Sequence, residues 1–510
     1  MKLDAERRSS LFLFLVVLLA LGLRVYHLGY SPLWLDEGYS RLYAENSLAY
    51  LWTTGFHLET NPPAYYSVLH FWIERFGASE FALRFPSVLA SLVAIVVVYA
   101  LGKELENRSV GLLAALLMAL APTEIWYAQE ARAYTLLHAA VAVALLGMAR
   151  YLGPSRSWSG LLLYGLGAAG AIYCHDTAVL FVLAVNLAVV GLAWHDRTFI
   201  SRRDLVRWLG ANVAVGLAAL PWILVMLQHP NIPGVLWMPP VTISELTWVM
   251  RDVVGGPAAN REFLHGHSFC YLLLLALAGL LCWQRKLDRR ELIMLVAAPL
   301  IFIMTVVLLS LHQSILISRI FFWTWIPLSL LLAHLLFQGG KARILLLIPI
   351  TLVFAIGLDG LYFPYFTPKE NWRELMESNR EELARADVIV LTAPVQIGCF
   401  AYYFPEGLPR AAFWFPQRAP SSQAIIDFSD RFHIPKLDTE GLRQMIQSGK
   451  RVCALLVNHD PAYFAASFAA LPPPDRSFED TFPRTYEFHL LTWNGRDRGE
   501  KRLDGQERSP

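Results

Sequence analysis

Two neighbouring carboxylates, Asp36 and Glu37, stand in the stretch SPLWLDEGYS (residues 31–40), just after an apolar run at 10–28 that is long enough to cross a bilayer. An ionised side chain near lipid is costly unless it reaches water or a partner, so acids in such places lean towards function. At a helix end the cost largely vanishes, and a plain polar helix terminus explains the pair equally well. Further polar residues recur between later apolar runs. Asn61 precedes Pro62–Pro63 and Tyr65 in LETNPPAYY; Gln129, Glu130, Arg132 and Tyr134 share YAQEARAY; His175 and Asp176 occupy the bare turn YCHDT; and Arg319 opens an apolar run containing Pro327. Each has a bland explanation as well: a helix start for the double proline, an ion pair with Glu130 for Arg132, a helix-end polar residue for His175, a lipid headgroup for Arg319. Together they form a set with definite chemistry. Arginine offers permanent charge and bidentate geometry to phosphate, and a carboxylate can deprotonate an attacking hydroxyl or amine. A sugar leaving a lipid phosphate passes through an oxocarbenium-like state, with phosphate as the leaving group that cations stabilise.

The elements that must position these residues are membrane helices. The chain has 510 residues, 55% apolar and 16% charged, and a mean hydropathy of +0.42, which excludes an ordinary soluble domain. A net charge of +2 gives no bulk electrostatic reason to bind nucleic acid. No zinc-type Cys/His spacing, phosphate-binding loop or dinucleotide fingerprint is present, and the five cysteines are scattered without a disulfide framework. Arg7–Arg8 before the first apolar run superficially resembles a signal peptide, but the run is too long and lacks a small-residue cleavage site, so it is read as an uncleaved first helix. Since a span needs about 20 mostly apolar residues, about eleven spans (9–13) are expected, near 10–28, 86–101, 109–122, 134–151, 159–174, 177–194, 207–227, 268–284, 291–311, 319–337 and 342–360.

Lys and Arg set the orientation. With Lys2, Arg7 and Arg8 on the cytoplasmic side, alternate loops should be basic, and they are: Lys103 and Arg108, Arg150 and Arg156, Arg197 to Arg207, Arg285 to Arg290, Lys341 and Arg343. The opposite connections hold few cations, chiefly Arg132, Arg251, Arg261 and Arg319, and these are the segments that carry the candidate site. The first outer loop (29–85) is long and contains LAYLWTTGF and AYYSVLHFWIERFG, which read as amphipathic helices in the interface, the second starting at Ala64 after the double proline. ISELTWVMRDVV between spans seven and eight reads the same way. After Asp359 the apolar character falls away. Residues 361–510 read as a soluble α/β domain on the same outer side as Asp36, with strands at 386–391 and 451–457 and helical stretches such as 370–385. An oxidising compartment would permit a Cys399–Cys453 disulfide there.

The order of WLDE after the first span, NPPAYYSVLHFW, FGASEFALRFPSVL, YAQEARAYTL, the Tyr173–His175 turn and Arg319 with Pro327 resembles membrane glycosyltransferases of the GT-C fold. More narrowly, it is similar to the bacterial branch of the dolichyl-phosphate-mannose–protein mannosyltransferases (glycosyltransferase family 39), related to the lipid A aminoarabinose transferases. The match is strongest over 28–180, weaker to 337, and scarcely present in the tail. The resemblance implies a mainly α polytopic GT-C module at 1–360, with a soluble α/β domain at 361–510. It implies an inner-membrane, inverting transferase that moves a hexosyl or pentosyl group from a polyprenyl-phosphate-sugar donor to a lipid, glycan or protein acceptor on the periplasmic side. The family's first-loop acid falls on Asp36, the implied general base, with Glu37 in support. Its Gln-Glu-x-Arg segment falls on Gln129, Glu130 and Arg132, with Arg132 near the donor phosphate, and its turn histidine on His175. Asn61, Tyr65, Tyr134 and Arg319 complete the implied substrate site; relatives often have His in place of Asn61 and Tyr after the arginine where Ile320 follows here. No cofactor is implied, and a divalent metal is not favoured, although Asp36 and Glu37 with nearby acids have the ligand chemistry for one.

Two other functions remain open on the sequence. A transporter or flippase for a polyprenyl-linked glycan would place polar residues within spans near the midplane, whereas here they gather at one face. A non-catalytic membrane protein would leave binding to its soluble tail. Sugar transfer by a well-folded Asp36→Ala variant would refute the catalytic claim for Asp36, and flux across the bilayer without a new glycosidic bond would point to a transporter.

Overall fold

The computed structural model describes residues 2–53, 61–228, 238, 240–256, 288–338, 340, 343–362, 370–392, 396–414, 433–457, 470–481 and 487–494. They form two compact units: residues 1–28 with 60–366, and residues 29–59 with 367–510.

The first unit is helical. Its long elements are α1 (Lys2–Val25), then, after the two short helices of residues 29–59 described below as α2 and α3, α4 (Ala64–Phe76), α5 (Glu80–Leu105), α6 (Arg108–Leu120), α7 (Pro122–Ala128), α8 (Tyr134–Leu152), α9 (Trp158–Cys174), α10 (Ala178–His195), α11 (Arg202–Gln228), α12 (Ile243–Gly255), α13 (Ala298–Ser310), α14 (Ser318–Phe321), α15 (Trp325–Gln338) and α16 (Arg343–Tyr362). A π-helical turn, Leu292–Ala297, leads into α13. Eight stretches of these are long and apolar enough to cross a membrane, and the bent pair α6–α7 makes a ninth. The shorter α9 matches the expected fifth span, and the expected span at 268–284 lies outside the described residues. The chain is therefore a multi-pass membrane protein, as its composition demands.

Local sequence explains where these helices start. Asn107 Oδ1 accepts the Ser109 and Val110 amides and caps α6, Ser79 does the same for α5, and Ser157 for α9. The double proline places the start of α4 at Ala64, where the sequence puts it. Between α8 and α9 small residues allow close approach: a Cβ on Gly147 would stand 2.2 Å from the Tyr164 nitrogen. Membrane helices, which gain little from hydrophobic burial against one another, associate through such contacts. Inside α9–α11 a polar knot adds to them, with the Tyr164 hydroxyl donating to Asn212 Oδ1 (2.6 Å) and the Trp208 indole to Asn186 Oδ1 (2.9 Å).

The break between α6 and α7 bends the chain by 61°. Pro122 opens α7 at its first turn, where a missing N–H does no harm, while α6 ends with carbonyls that need donors. Arg24, fully buried at the end of α1, supplies them: Nη2 donates to Met118 O (3.0 Å), Nη1 to Ala119 O (3.0 Å), and Nε to Ser91 Oγ (2.8 Å). Glu124 in the first turn of α7 is also fully buried, and its Oε1 lies 3.3 Å from His138 Nε2 on α8.

The second unit joins α2 (Leu35–Ala44) and α3 (Leu48–Trp52) to a mixed α/β fold containing α17 (Trp372–Ser378), α18 (Arg380–Arg385), β1 (Val388–Leu391), α19 (Ile397–Tyr403), β2 (Ala411–Trp414), β3 (Lys436–Leu437), α20 (Thr439–Gln447), β4 (Arg451–Val457), β5 (Arg476–Thr481) and β6 (Glu487–Asn494). The sheet order is β3-β2-β1-β4-β6-β5. The first four positions pair in parallel, and β6 runs antiparallel to β4 and β5. The two strands expected from sequence are β1 and β4, at the centre, where apolar runs are buried on both faces. Cys399 and Cys453 are free and buried, so the permitted disulfide is not made: Cys399 Sγ faces Leu33 O and Cys453 Sγ faces Glu382 O.

α2 packs on α19 through two glycines. A Cβ on Gly398 would stand 2.4 Å from the Gly38 carbonyl carbon, and one on Gly38 would stand 2.6 Å from Cys399 Sγ. Because backbone rather than a flexible side chain blocks the Gly398 site, Gly398→Ala is expected to destabilise the unit by about 1–3 kcal/mol. Thermal unfolding of the purified protein measures this, with Gly22→Ala, which meets nothing within 4 Å, as the comparison. Equal midpoints for the two variants would refute the account.

Candidate active site

In the helical unit, three of the sequence candidates converge on the aromatic ring of a fourth, Tyr134. Tyr134, the first residue of α8, has the Arg132 guanidinium 5.9 Å and the Arg319 guanidinium 5.8 Å from its ring centroid, and the His175 ring 6.1 Å away. Arg132 is 7% exposed and donates from Nη1 to the Tyr66 hydroxyl (3.2 Å). Its backbone is fixed as well, through the Glu130 carbonyl (2.9 Å) and a Ser87 hydroxyl donated to Arg132 O (3.3 Å). Tyr127 closes the wall, with its ring 5.3 Å from Tyr134 and 4.6 Å from Phe322, and its hydroxyl 3.4 Å from Ser318 Oγ. Arg132 thus arrives from the loop before α8 and Arg319 from the short helix α14.

His175 caps α9 in a turn held to α11: the Tyr173 hydroxyl donates to Ala218 O (2.8 Å) and the Trp222 indole to Asp176 Oδ1 (2.9 Å). The Thr177 amide donates to His175 Nδ1 (3.3 Å), with the Thr177 hydroxyl 3.0 Å from the same atom. This pattern assigns the ring proton to Nε2. Burial first, then the charges of Arg319 and Arg132, lower the imidazole to about 3. His175 is therefore a neutral donor beside two cations, able to give Nε2–H to a phosphate or sugar oxygen. Unfolded histidine titrates near 6.5, so between the two values the unfolded chain holds more protons, and stability must fall as pH drops from about 6.5 towards 3. The thermal midpoint of His175→Gln is expected to lose less than wild type between pH 7.5 and 5; parallel curves would remove His175 from this role.

The other candidates of this unit separate. Glu130 is buried and its charge is felt at the Tyr127 phenol. Tyr65 is buried with its ring against Tyr66 (5.5 Å), one position from the Arg132 partner. Asn61 is half-buried just before the double proline. Gln129 turns the other way: its amide donates to Arg24 O (3.0 Å) and Tyr26 O (2.8 Å), tying the loop to the end of α1.

Sequence reasoning missed several residues here. α12 packs against α7 and α14, bringing Arg251 and Asp252, paired at 2.6 Å, with the Arg251 guanidinium 3.8 Å over the Trp248 ring. Burial, only partly offset by Arg251, raises Asp252 to about 6. Arg251 carried the same outer-loop signal as Arg132 and could have been found by it. Arg24 and His138 sit inside apolar runs, where nothing in the pattern marks them, and Glu124 falls just past the run at 109–122. His138 lies one turn along α8 from Tyr134 and meets Phe322 edge-on at 4.3 Å.

In the second unit the paired carboxylates open α2, and the structure separates them. Glu37 is fully buried and reaches back to the Trp34 amide (3.5 Å), a capping contact. Asp36 is only partly buried at the second helical position. Their segment is held by Glu370, which is 1% exposed and whose Oε2 accepts the Leu35 amide (2.9 Å) and the Trp372 indole (2.7 Å). The Leu33 amide donates to the Tyr403 hydroxyl (2.7 Å). Burial together with Glu370 and Glu37 pushes the Cys399 thiol well above its usual value, so it stays a neutral packing group.

A polytopic bundle with polar loops gathered around Tyr134, together with a mixed α/β unit, is the GT-C fold that the sequence order implied. Residues 60–224 match the family model described as Dolichyl-phosphate-mannose-protein mannosyltransferase. The fold is that of ArnT from Cupriavidus metallidurans: the apo structure superimposes with a TM-score of 0.60 at 14% identity, covering 96% of this chain and 98% of that one. The structure of the same protein bound to undecaprenyl phosphate gives 0.58 at 12% identity, with the same coverage. No curated protein matches the chain by sequence.

Proposed function

We propose that the protein is a membrane glycosyltransferase that moves a sugar from a polyprenyl-phosphate donor to a hydroxyl or amine acceptor, with inversion at the anomeric carbon. The observation that carries this reading is the convergence of Arg132 and Arg319 on Tyr134 beside a neutral His175. Two fixed guanidiniums with an uncharged donor form a receptor for a phosphate that gains charge as it leaves. The likeness to an ArnT structure with undecaprenyl phosphate supports a lipid-borne donor. In this reading Arg132 and Arg319 bind the donor phosphate, and Tyr134, Tyr66 and Tyr65 line the sugar and phosphate path. Asp36 takes the proton from the acceptor as its oxygen or nitrogen bonds the anomeric carbon, and the bond from that carbon to the phosphate oxygen breaks. The products are a glycosylated acceptor and a polyprenyl phosphate. Glu37 and Glu370 hold Asp36 in place. The site and the α/β unit then lie on the extracytoplasmic side of the inner membrane, opposite the basic loops.

The test uses purified full-length protein in nanodiscs with a sugar-labelled polyprenyl-phosphate donor and cell-envelope lipids, glycans and proteins as acceptors. Mass spectrometry should find label in a new glycosidic linkage together with free polyprenyl phosphate. Movement of intact donor between leaflets without any new bond would replace the transferase by a flippase.

A further inference from the structure

At the end of α5 remote from Arg84, three side chains that no part of the transfer reaction uses come together. Glu106 follows the last turn of α5, His334 lies in the last turns of α15, and Glu291 immediately precedes the π-helical turn before α13. One ligand atom from each lies within 4.8 Å of the others. His334 Nδ1 is 2.7 Å from Glu106 Oε2. Glu106 Oε1 accepts the Gln338 amide (2.8 Å), and Glu291 Oε2 accepts the Asp288 amide (2.8 Å), so both carboxylates are oriented from outside the triad.

We propose that Glu106, Glu291 and His334 form a site for a divalent transition metal, zinc by donor chemistry, that clips together three helix ends on the side of the bundle away from the Arg132 cluster. One imidazole and two carboxylates are a borderline N/O set that suits zinc better than magnesium or calcium. The atoms must close to roughly 3.4 Å from one another around an ion with ligand distances of about 2.0–2.2 Å, a change within reach of side-chain rotation. The partners of Gln338 and Asp288 supply the outer contacts that ligating carboxylates require.

Charge argues in the same direction. The charged groups felt at Glu291 are Asp288, His334 and Glu106; Arg290 faces Asp288 at 3.4 Å on the rim. Glu291 and His334 are 8% and 7% exposed. Glu291 exchanges hydrogen bonds with Asp288 at the helix start, and it is also buried with a carboxylate oxygen within 4.8 Å of a second carboxylate and an imidazole. A divalent cation offsets that excess of negative charge, whereas a His334–Glu106 hydrogen bond alone does not. A metal on His334 Nδ1 takes the place of the hydrogen bond to Glu106 Oε2, and the neutral ring then carries its one proton on Nε2. Glu106, the most exposed of the three, faces the way in. The site lies on the order of 30 Å along α5 from Arg84, so its expected effect is on stability and not on the transfer step.

The experiment uses full-length protein without a polyhistidine tag, stripped with EDTA in nanodiscs and titrated with zinc chloride alone. Elemental analysis should find one bound zinc per chain, and the thermal midpoint should rise on loading and return with chelator, by mass action. His334→Gln and Glu291→Gln preserve size and should each lose the bound zinc. Gln338→Ala should weaken binding by about 10-fold, and His312→Gln, an exposed histidine elsewhere, should leave it intact. Folded wild type that holds no stoichiometric zinc, or His334→Gln and Glu291→Gln variants that hold as much as wild type, would overturn the site.

Discussion

Asp36→Asn is expected to lower kcat for sugar transfer by about 10²–10⁴-fold, the usual contribution of a positioned general base, with a much smaller change in donor KM. The adjacent acids make the comparison sharp. Glu37 is fully buried and serves the helix start, whereas Asp36 is partly exposed on the same turn. Glu37→Gln should therefore reduce the thermal midpoint more than kcat, and Asp36→Asn the reverse. Initial rates at saturating donor, with unfolding measured on the same preparations, separate the two. An Asp36→Asn enzyme with wild-type kcat would remove Asp36 from the chemistry and leave the guanidinium cluster as a binding site only.

Arg24→Met should cost about 3–5 kcal/mol, because it leaves the buried acceptors at Ser91, Met118 and Ala119 without their charged donor, at about 1–3 kcal/mol each. Arg24 is fully buried, feeds the carbonyls of Met118 and Ala119, and is the charge nearest in effect to Glu124. Its loss leaves Glu124 buried against His138 and opens the capped end of α6. The double variant Arg24→Met/Glu124→Gln leaves the same acceptors without a donor and should recover little of the loss. Unfolding in mixed micelles, read as a double-mutant cycle, measures the coupling. A double variant that regains most of the stability would mean that the Glu124 carboxyl, and not the acceptor contacts, explains the effect.

The fold was largely legible, because apolar runs of bilayer length have few alternatives. The runs at 10–28, 86–101, 134–151 and 177–194 became α1, α5, α8 and α10, and the central strands of the second unit were readable from continuous β-branched and aliphatic residues. At the candidate site, Arg132, Tyr134, His175 and Arg319 were legible because each polar residue interrupts an otherwise apolar pattern at an outer loop. What stayed hidden has a common cause. Arg24 and His138 lie inside helices whose other residues satisfy the bilayer, so a window average absorbs them, and only packing reveals their partners. The sparse-polar-span argument against a transporter loses force for the same reason. Glu370 could not be read at all, since its link to Leu35 spans 335 positions and leaves no local trace. Gln129 looked like part of the phosphate site from its neighbours, but the turn of the chain aims it at the end of α1.

The second unit is discontinuous in sequence: residues 29–59 complete a fold whose remainder begins at 367. This has a consequence for biogenesis. Elongation at about 5–20 residues per second means that α2 waits tens of seconds between its own synthesis and that of Glu370, Gly398 and Tyr403, which hold it. Through that interval α2 and Asp36 lack the residues that fix them. A chain released before Glu370 is made would therefore lack the contacts that place its acid. Maturation of the acid-bearing segment is therefore timed by synthesis of the part of the unit that begins at residue 367.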